Sequence, residues 1–506
     1  MDEFAEARAA LVTLEKRKQG LIAELNDVHA AIRSQRNKVE ELIRQLPISP
    51  INRLPDEILL RIFELILGTA RTEDKNCCVR WKEQLAEVSR RWRNVILHSP
   101  CLWTTITVSS SRSTALIEAH IMRSSESPLD IEINHNGILF ASEEKMLVQR
   151  LGLVVTCAER WRSLTIFLGA YSTFQVLQRL GHLSLPSLTS VCIRNFPCCE
   201  PEKLDPPFLR SQCAPRIEKI FISGDIGMLK GREIPSSVKT LAMELDFFSR
   251  SGINSALLLE SMPCQRLTSL CLDGRINFGE LSPNSIQLPL LEKFVSKLRG
   301  VSAALIRAIV APRLKHFEVH ALSANQSLHD TFVAVSGKFS SVDHFTLYKS
   351  QRHETVSKSL CLAFPGVRHL VLPKENIIAV LRSAEGPGTA FHWQHLESLT
   401  SIGHPEEEFE AFINDLADCL RRRQEAGLSK FRLNLSTPFS VEKLLFVYEQ
   451  LNDVCILERA YNTHDITLPA VTSGKLWLDV PLNRPYILGA LRDAVMAGRI
   501  QTNGRG

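Results

Sequence analysis

Nowhere in the 506 residues does an apolar run approach the roughly 20 residues that cross a bilayer, which argues against a membrane-spanning helix. The start, Met1-Asp2-Glu3-Phe4, lacks the basic residues and apolar stretch of a secretion signal. Cys-x-x-Cys is absent, and the thirteen cysteines are scattered. The adjacent pairs Cys77-Cys78 and Cys198-Cys199 make poor ligand pairs for one tetrahedral metal. The expectation is reduced thiols, mostly buried as small hydrophobes, in a cytoplasmic or nuclear protein. The sequons at Asn325 and Asn434 then carry no weight. Excess charge is missing too: 60 basic against 55 acidic residues leave +5, too little for a broad phosphate-neutralising face.

Catalytic signatures are equally scarce. Gly386-Pro387-Gly388 starts a Gly-x-Gly but has no third glycine in a strand–turn–helix, and Gly224 to Gly231 lacks Walker spacing. His392 and His395 have no third ligand nearby in sequence. Arg421-Arg422-Arg423 closes a helical stretch begun by Glu406-Glu407-Glu408, a polarity that suits the helix macrodipole. The reading is therefore of a non-enzyme with no catalytic residue, cofactor or metal, and with neither nucleic acid nor membrane as partner.

What is present begins with a heptad rod. One seam set is Phe4, Leu11, Lys18, Leu25, Ile32, Val39 and Leu46, and the other is Ala7, Leu14, Leu21, Val28, Gln35 and Leu42. Eleven of these thirteen positions are apolar. Their alternating three-four spacing is the coiled-coil period. Eight basic and eight acidic side chains balance residues 1 to 46, and Pro47 and Pro50 end the pattern. Residues 1–47 thus read as a coiled-coil helix that self-associates through 4–46 or folds back on its own chain. Leu11, Leu14, Leu21, Leu25, Val28, Ile32, Val39 and Leu42 form the seam.

A short helical block comes next, over 48–103. Leu54-Pro55-Asp56-Glu57-Ile58-Leu59 leads into Ile62-Phe63 and breaks at Gly68. Proline and an acidic pair suit a helix first turn. A second helix carries Leu85, Val88, Trp92, Val95 and Ile96 on one face, and Pro100-Cys101-Leu102-Trp103 comes after it. About fifty residues bearing Phe63, Trp81, Trp92 and Trp103 form too small a core to bury every aromatic ring, so some should sit at an interface.

The run from Leu54 to Phe63, the Leu85/Val88/Trp92 spacing and the closing Leu102-Trp103 resemble an F-box. With the rod directly before it, the arrangement resembles the coiled-coil/F-box proteins of mushroom-forming fungi. That resemblance implies docking on the Skp adaptor of a cullin–RING ubiquitin ligase. It assigns adaptor-facing roles to Leu54, Pro55, Ile58, Ile62, Val88 and Trp92, with Leu102 and Trp103 matching the motif's end. Two departures stand out: a long loop from Gly68 to Val79, and Ser89 where cysteine is common. The alternative is a helical linker that merely caps the domain beginning at residue 104.

From residue 104 a template of apolar-x-x-apolar-x-apolar recurs. It appears at Leu188, Ile217, Val238, Leu267, Leu314, Val342 and Val367, with partial matches at Leu291 and Leu396. The steps between first residues run from 21 to 29, within the period of leucine-rich repeats. Weaker units start at Thr104, Leu129 and Leu164, and helical patterns cover 302–310, 376–382 and 406–423.

The expected fold class is α/β: a coiled-coil helix, a small all-α F-box module, then a degenerate leucine-rich-repeat solenoid over 104–440. Its parallel strands would line a concave face, with helices outside. Residues 441–506 would form a C-terminal repeat or closing cap with Trp477, a helix over 485–496 and a loose tail. An ordinary parallel α/β domain is the alternative. Partner-reading positions would be Thr189, Arg194, Lys219, Lys239, Glu244, Thr268, Lys315, Glu318, His320, Asp343, Arg368, His369 and Glu397.

The functional expectation is a substrate-recognition adaptor of an SCF-type ligase. It would bind the Skp adaptor at one end and an unidentified protein substrate along the repeats. The alternative is a stand-alone repeat scaffold or receptor with no ligase link.

Overall fold

The computed structural model describes residues 2–45, 50–73, 77–135, 141–196, 212–224, 234–245, 262–274, 281–298, 302–320, 328–348, 356–381, 393–402, 409–435 and 441–458. The expected cap (Trp477, 485–496, the tail), Leu46, the Gly386 segment and His392 lie outside them.

The chain divides into two units, Met1–His98 and Ser99–Gly506. The first opens with helix α1, Asp2–Gln45, a continuous helix over the heptad pattern. A 3₁₀ turn at Pro50–Arg53 precedes α2 (Asp56–Glu73), α3 (Cys77–Val88) and α4 (Arg90–Leu97). Two expectations change here. α2 runs through Gly68 rather than breaking there. One glycine costs a helix only about 1 kcal/mol, less than the ladder around it supplies. Of the anticipated loop from Gly68 to Val79, residues 68–73 end α2 and 77–79 start α3, with 74–76 outside the described residues.

The second change is that the single helix expected across Leu85 to Ile96 is two. Ser89 is extended (φ −158°, ψ 162°), and its hydroxyl accepts from the Trp92 amide at 3.1 Å as the N-cap of α4. A serine hydroxyl competes for a helix's first free amides, so it starts a helix better than it continues one.

In the second unit, fourteen strands form one sheet whose spatial order is their chain order, every pairing parallel. The first seven are β1 (Thr105–Val108), β2 (Leu129–Asn134), β3 (Trp161–Phe167), β4 (Ser190–Phe196), β5 (Lys219–Gly224), β6 (Thr240–Leu245) and β7 (Ser269–Gly274). Then come β9 (Lys293–Leu298), β11 (His316–His320), β12 (His344–Tyr348), β13 (His369–Pro373), β14 (Ser398–Ile402), β15 (Arg432–Leu435) and β16 (Ile456–Glu458). The short strands β8 (Ile286–Gln287) and β10 (Ile309–Val310) pair separately. Every template and each weaker unit becomes a strand. β15 falls inside the expected array and β16 carries the sheet past residue 440; both segments keep the template spacing, at Leu428-Phe431-Leu433 and Leu451-Val454-Ile456.

The template's apolar residues alternate inward. In β7, for example, Leu270 and Leu272 are buried while Ser269, Cys271 and Asp273 are half-buried. One contiguous apolar core runs from Ile106 to Leu457. Its densest part is aromatic: Phe317 lies 5.1–6.0 Å from Phe294, Phe339, Phe345 and Phe364. Helices at Ser302–Ala308, Leu328–Ala334, Val356–Ala363, Lys374–Leu381, Phe409–Glu425 and Val441–Leu451 link successive strands.

Three sequence readings are corrected in this unit. Leu102 and Trp103 belong to it and not to the helical module: they are buried in the 3₁₀ turn Pro100–Trp103. The Trp103 ring meets His120 edge-on at 4.9 Å and carries the Arg123 guanidinium at 4.5 Å. The cysteines are less buried than expected: of nine described thiols, Cys361, Cys419 and Cys455 are buried, five are half-buried and Cys101 is exposed.

Arg423, read as complementing a helix dipole, is 3% exposed. Its guanidinium donates to the Trp393 carbonyl at 2.6 Å and lies 5.7 Å from the Phe431 ring. It thereby clamps a residue held at φ 51°. Removing a charge-assisted donor to a buried carbonyl costs about 2–3 kcal/mol, so Arg423→Ala should lower the denaturation midpoint of the full chain. Arg422→Ala, at an exposed position on the same helix, should leave it nearly unchanged.

Candidate protein-binding surfaces

In the helical module, Arg91 organises the start of α2. Its side chain donates to the Leu54 carbonyl at 2.5 Å and to Asp56 at 2.6 and 2.9 Å. The Leu54-Pro55-Asp56 entry is therefore tied to α4 by one residue. Sequence reasoning passed over Arg91; the available signal was an arginine next to Ser89 and Trp92, opposite an acidic first turn. Leu59 and Phe63 are buried, and the Trp92 ring lies 5.0 Å from Phe63 at 59°.

Around this centre the motif residues separate by exposure. Ile58 is 48% and Val88 61% exposed, Pro55 is exposed, and Leu54, Ile62 and Trp92 are half-buried. Large apolar side chains left this open on a small module form a candidate contact surface. Trp92, by contrast, is partly engaged in internal packing. Removing the Ser89 hydroxyl should cost about 1 kcal/mol, and removing the Arg91 side chain about 1–2 kcal/mol. Thermal unfolding of Ser89→Ala and Arg91→Ala, with Arg93→Ala as an exposed control on α4, checks both values.

The sheet has its own open face. At the entry to each strand one residue per rung repeats a backbone bond: Glu218 N–H donates to the Thr189 carbonyl, Lys239 to Glu218, and Thr268 to Lys239. Glu292, Lys315, Asp343, Arg368, Glu397 and Arg432 continue the row, all at 2.8–3.0 Å. Its side chains largely alternate in charge and pair along the row: Lys239 with Glu218 at 2.7 Å, Lys315 with Glu292 at 3.9 Å, and Arg368 with Glu397 at 3.0 Å. Thr189 and Thr268 donate to carbonyls of the preceding rung. These positions, expected to read a partner, are thus largely engaged with their neighbours. Arg194 and Glu244 are exposed at the far ends of β4 and β6, and Lys219 is exposed at the start of β5.

The interior columns of the open face carry the least expected feature. His316, His344 and His369 stand in register on β11, β12 and β13. Their rings stack at 5.8 Å and then 4.1 Å. Ser398 closes the row, 2.8 Å from His369 Nδ1. In the row formed by the last residues of β11 and β12, His320 stacks on Tyr348 at 4.2 Å.

Glu318 sits between them, with His320 Nε2 at 2.9 Å and His316 Nε2 at 3.8 Å. Those imidazoles hold its carboxyl at about 2, well below its ordinary 4.5. Burial, and then the neighbouring His344, push His369 below its ordinary 6.5. His320 and His369 are among the expected partner-reading positions, and a signal for the row was also there. His316, His344 and His369 occupy the same template position, two residues after Leu314, Val342 and Val367.

At the strand-entry edge of β13–β16, an open cleft of about 360 Å³ is lined by Arg368, His395, Glu397, Ser429, Lys430 and Arg432 among others. Among the described residues no group of three or more His, Cys, Asp or Glu side chains is arranged to hold a metal ion. None of the described helices is long and apolar enough to cross a membrane. The open face offers imidazole edges, one carboxylate, a phenol and nearby lysines, a set suited to binding a peptide or protein surface.

Compared with family models and with curated proteins, the chain matches none.

Both depressed groups act with the same sign. A pKa lower in the folded than the unfolded state favours folding at high pH and is lost on acidification. His369 should withdraw its contribution as pH falls below about 6.5, and Glu318 its own as pH falls from about 4.5 toward 2. Denaturant titrations across this range should show Glu318→Gln losing less stability than wild type in the lower window. His369→Gln should lose less in the upper one.

Proposed function

We propose that the chain is a protein-recognition adaptor: the open face of the sheet takes a protein partner and the α2–α4 module docks on a second protein. The observation that carries this reading is the exposure of both Ile58 and Val88 on a module already organised by Arg91, Phe63 and Trp92. Apolar anchors on a pre-ordered surface bind without a large ordering cost. With the F-box resemblance of the same residues, the docking partner is the Skp adaptor of a cullin–RING ligase. The captured partner would be a ubiquitylation substrate, and the ligase chemistry would belong to other subunits. In-order parallel strands with helical returns match a leucine-rich-repeat solenoid, an architecture that presents long binding faces.

The stand-alone scaffold gains one specific observation. Leu102 and Trp103, which end the F-box-like motif, are buried in the second unit, where the Trp103 ring packs on His120 and Arg123. The two readings part on one experiment. Full-length chain co-expressed with a Skp adaptor should co-purify with it. Ile58→Ala with Val88→Ala should weaken that binding by at least about 2 kcal/mol, roughly thirtyfold, while unfolding as wild type. Absence of binding by the wild-type chain, or unchanged binding by the folded double variant, removes the proposed docking mode.

A further inference from the structure

Helix α1 leaves its heptad seam uncovered: Phe4, Leu11, Leu14, Leu21, Leu25, Val28, Ile32, Val39 and Leu42 are 44–77% exposed. A single helix with this stripe in water needs a partner, since nothing else offsets the exposed apolar surface. The two polar residues of the seam, Lys18 and Gln35, decide which one.

We propose that α1 pairs with α1 of a second copy of this chain, antiparallel, in the register that sets Lys18 against Gln35. In that register Leu11 faces Leu42, Leu14 faces Val39, Leu21 faces Ile32 and Leu25 faces Val28, each twice by symmetry. Every apolar layer is apolar on both sides, and the polar residues fall in the same two layers. The Gln35 amide oxygen can accept from the Lys18 ammonium, whose long stem lets the charge reach the edge of the seam.

Other arrangements fare worse. A parallel in-register pair sets Lys18 against Lys18. Moving the antiparallel pair by one heptad either way sets Lys18 against Val28 or Leu42, leaving an ammonium opposite an alkyl group. The flanks do not overrule the seam: Glu15 meets Arg36 of the second copy on one side, while Arg17 meets Lys38 on the other. The overlap covers residues 8–45, about 57 Å at 1.5 Å per residue. The two chains therefore leave α1 at opposite ends of the rod. None of this depends on the adaptor reading.

The register has a diagnostic lysine pair. Lys16 and Lys38 lie about 33 Å apart along one helix, and as far apart between chains of a parallel pair. In the antiparallel register they are neighbours across the two copies. Full-length wild-type chain treated with a short amine-reactive cross-linker should yield the Lys16–Lys38 peptide pair from a species that sedimentation shows to be a dimer.

A charge swap tests the layer itself. Gln35→Lys should raise the dimer dissociation constant about tenfold by placing two lysine pairs in contact, and adding Lys18→Glu should restore it to within about threefold. In a parallel pair the double variant faces Glu with Glu and Lys with Lys, and no recovery occurs. A monomer at tens of micromolar, Lys16–Lys16 links in place of Lys16–Lys38, or failure of the swap to rescue overturns the proposal.

Discussion

The backbone bond between equivalent residues of successive rungs is the constraint on which the second unit depends. Each strand-entry amide donates to the carbonyl one rung earlier, from Thr189 to Arg432. Parallel strands cannot close by tight hairpins, so every rung must travel out and back before it forms a hydrogen bond. A fixed entry point makes that return repeatable whether a step is 21 residues or 29. The apolar template is a consequence: two inward residues per strand fill the core, and the length of the return path is free to vary.

How far the sequence discloses this structure depends on how local the controlling interaction is. The strands were legible because each rung repeats a burial pattern within six residues, and α1 was legible because its period is sustained over many turns. Ser89 shows the opposite case: a helical face continues across it, and only the bond to the Trp92 amide reveals the interruption. Arg423 and Arg91 were misread or missed because their partners, Trp393 and Leu54, are about thirty residues or more away. β15 and β16 were passed over although Leu428-Phe431-Leu433 and Leu451-Val454-Ile456 keep the template spacing.

The candidate surfaces divide in the same way. Leu54 to Trp92 could be singled out from composition and spacing, but not which of them remain open once Phe63 and Trp92 have packed. The histidine row was visible as a repeated offset, and only the in-register pairing of β11, β12 and β13 turns it into a stack. Much of the entry row was expected to form a contact surface because it lies between the template's apolar positions. Its side chains are exposed, yet they direct their charge at one another, which lowers their value to a partner.

That arrangement separates two jobs along each strand. The entry residue and the inward pair hold the rung in place, while the remaining outward positions, such as Cys271, Lys297 and Thr400, are tied to neither task. Changes at those columns alter what the sheet presents without touching what keeps it assembled. The scaffold can therefore exchange one partner for another rung by rung, in small substitutions, with no need to rebuild its core.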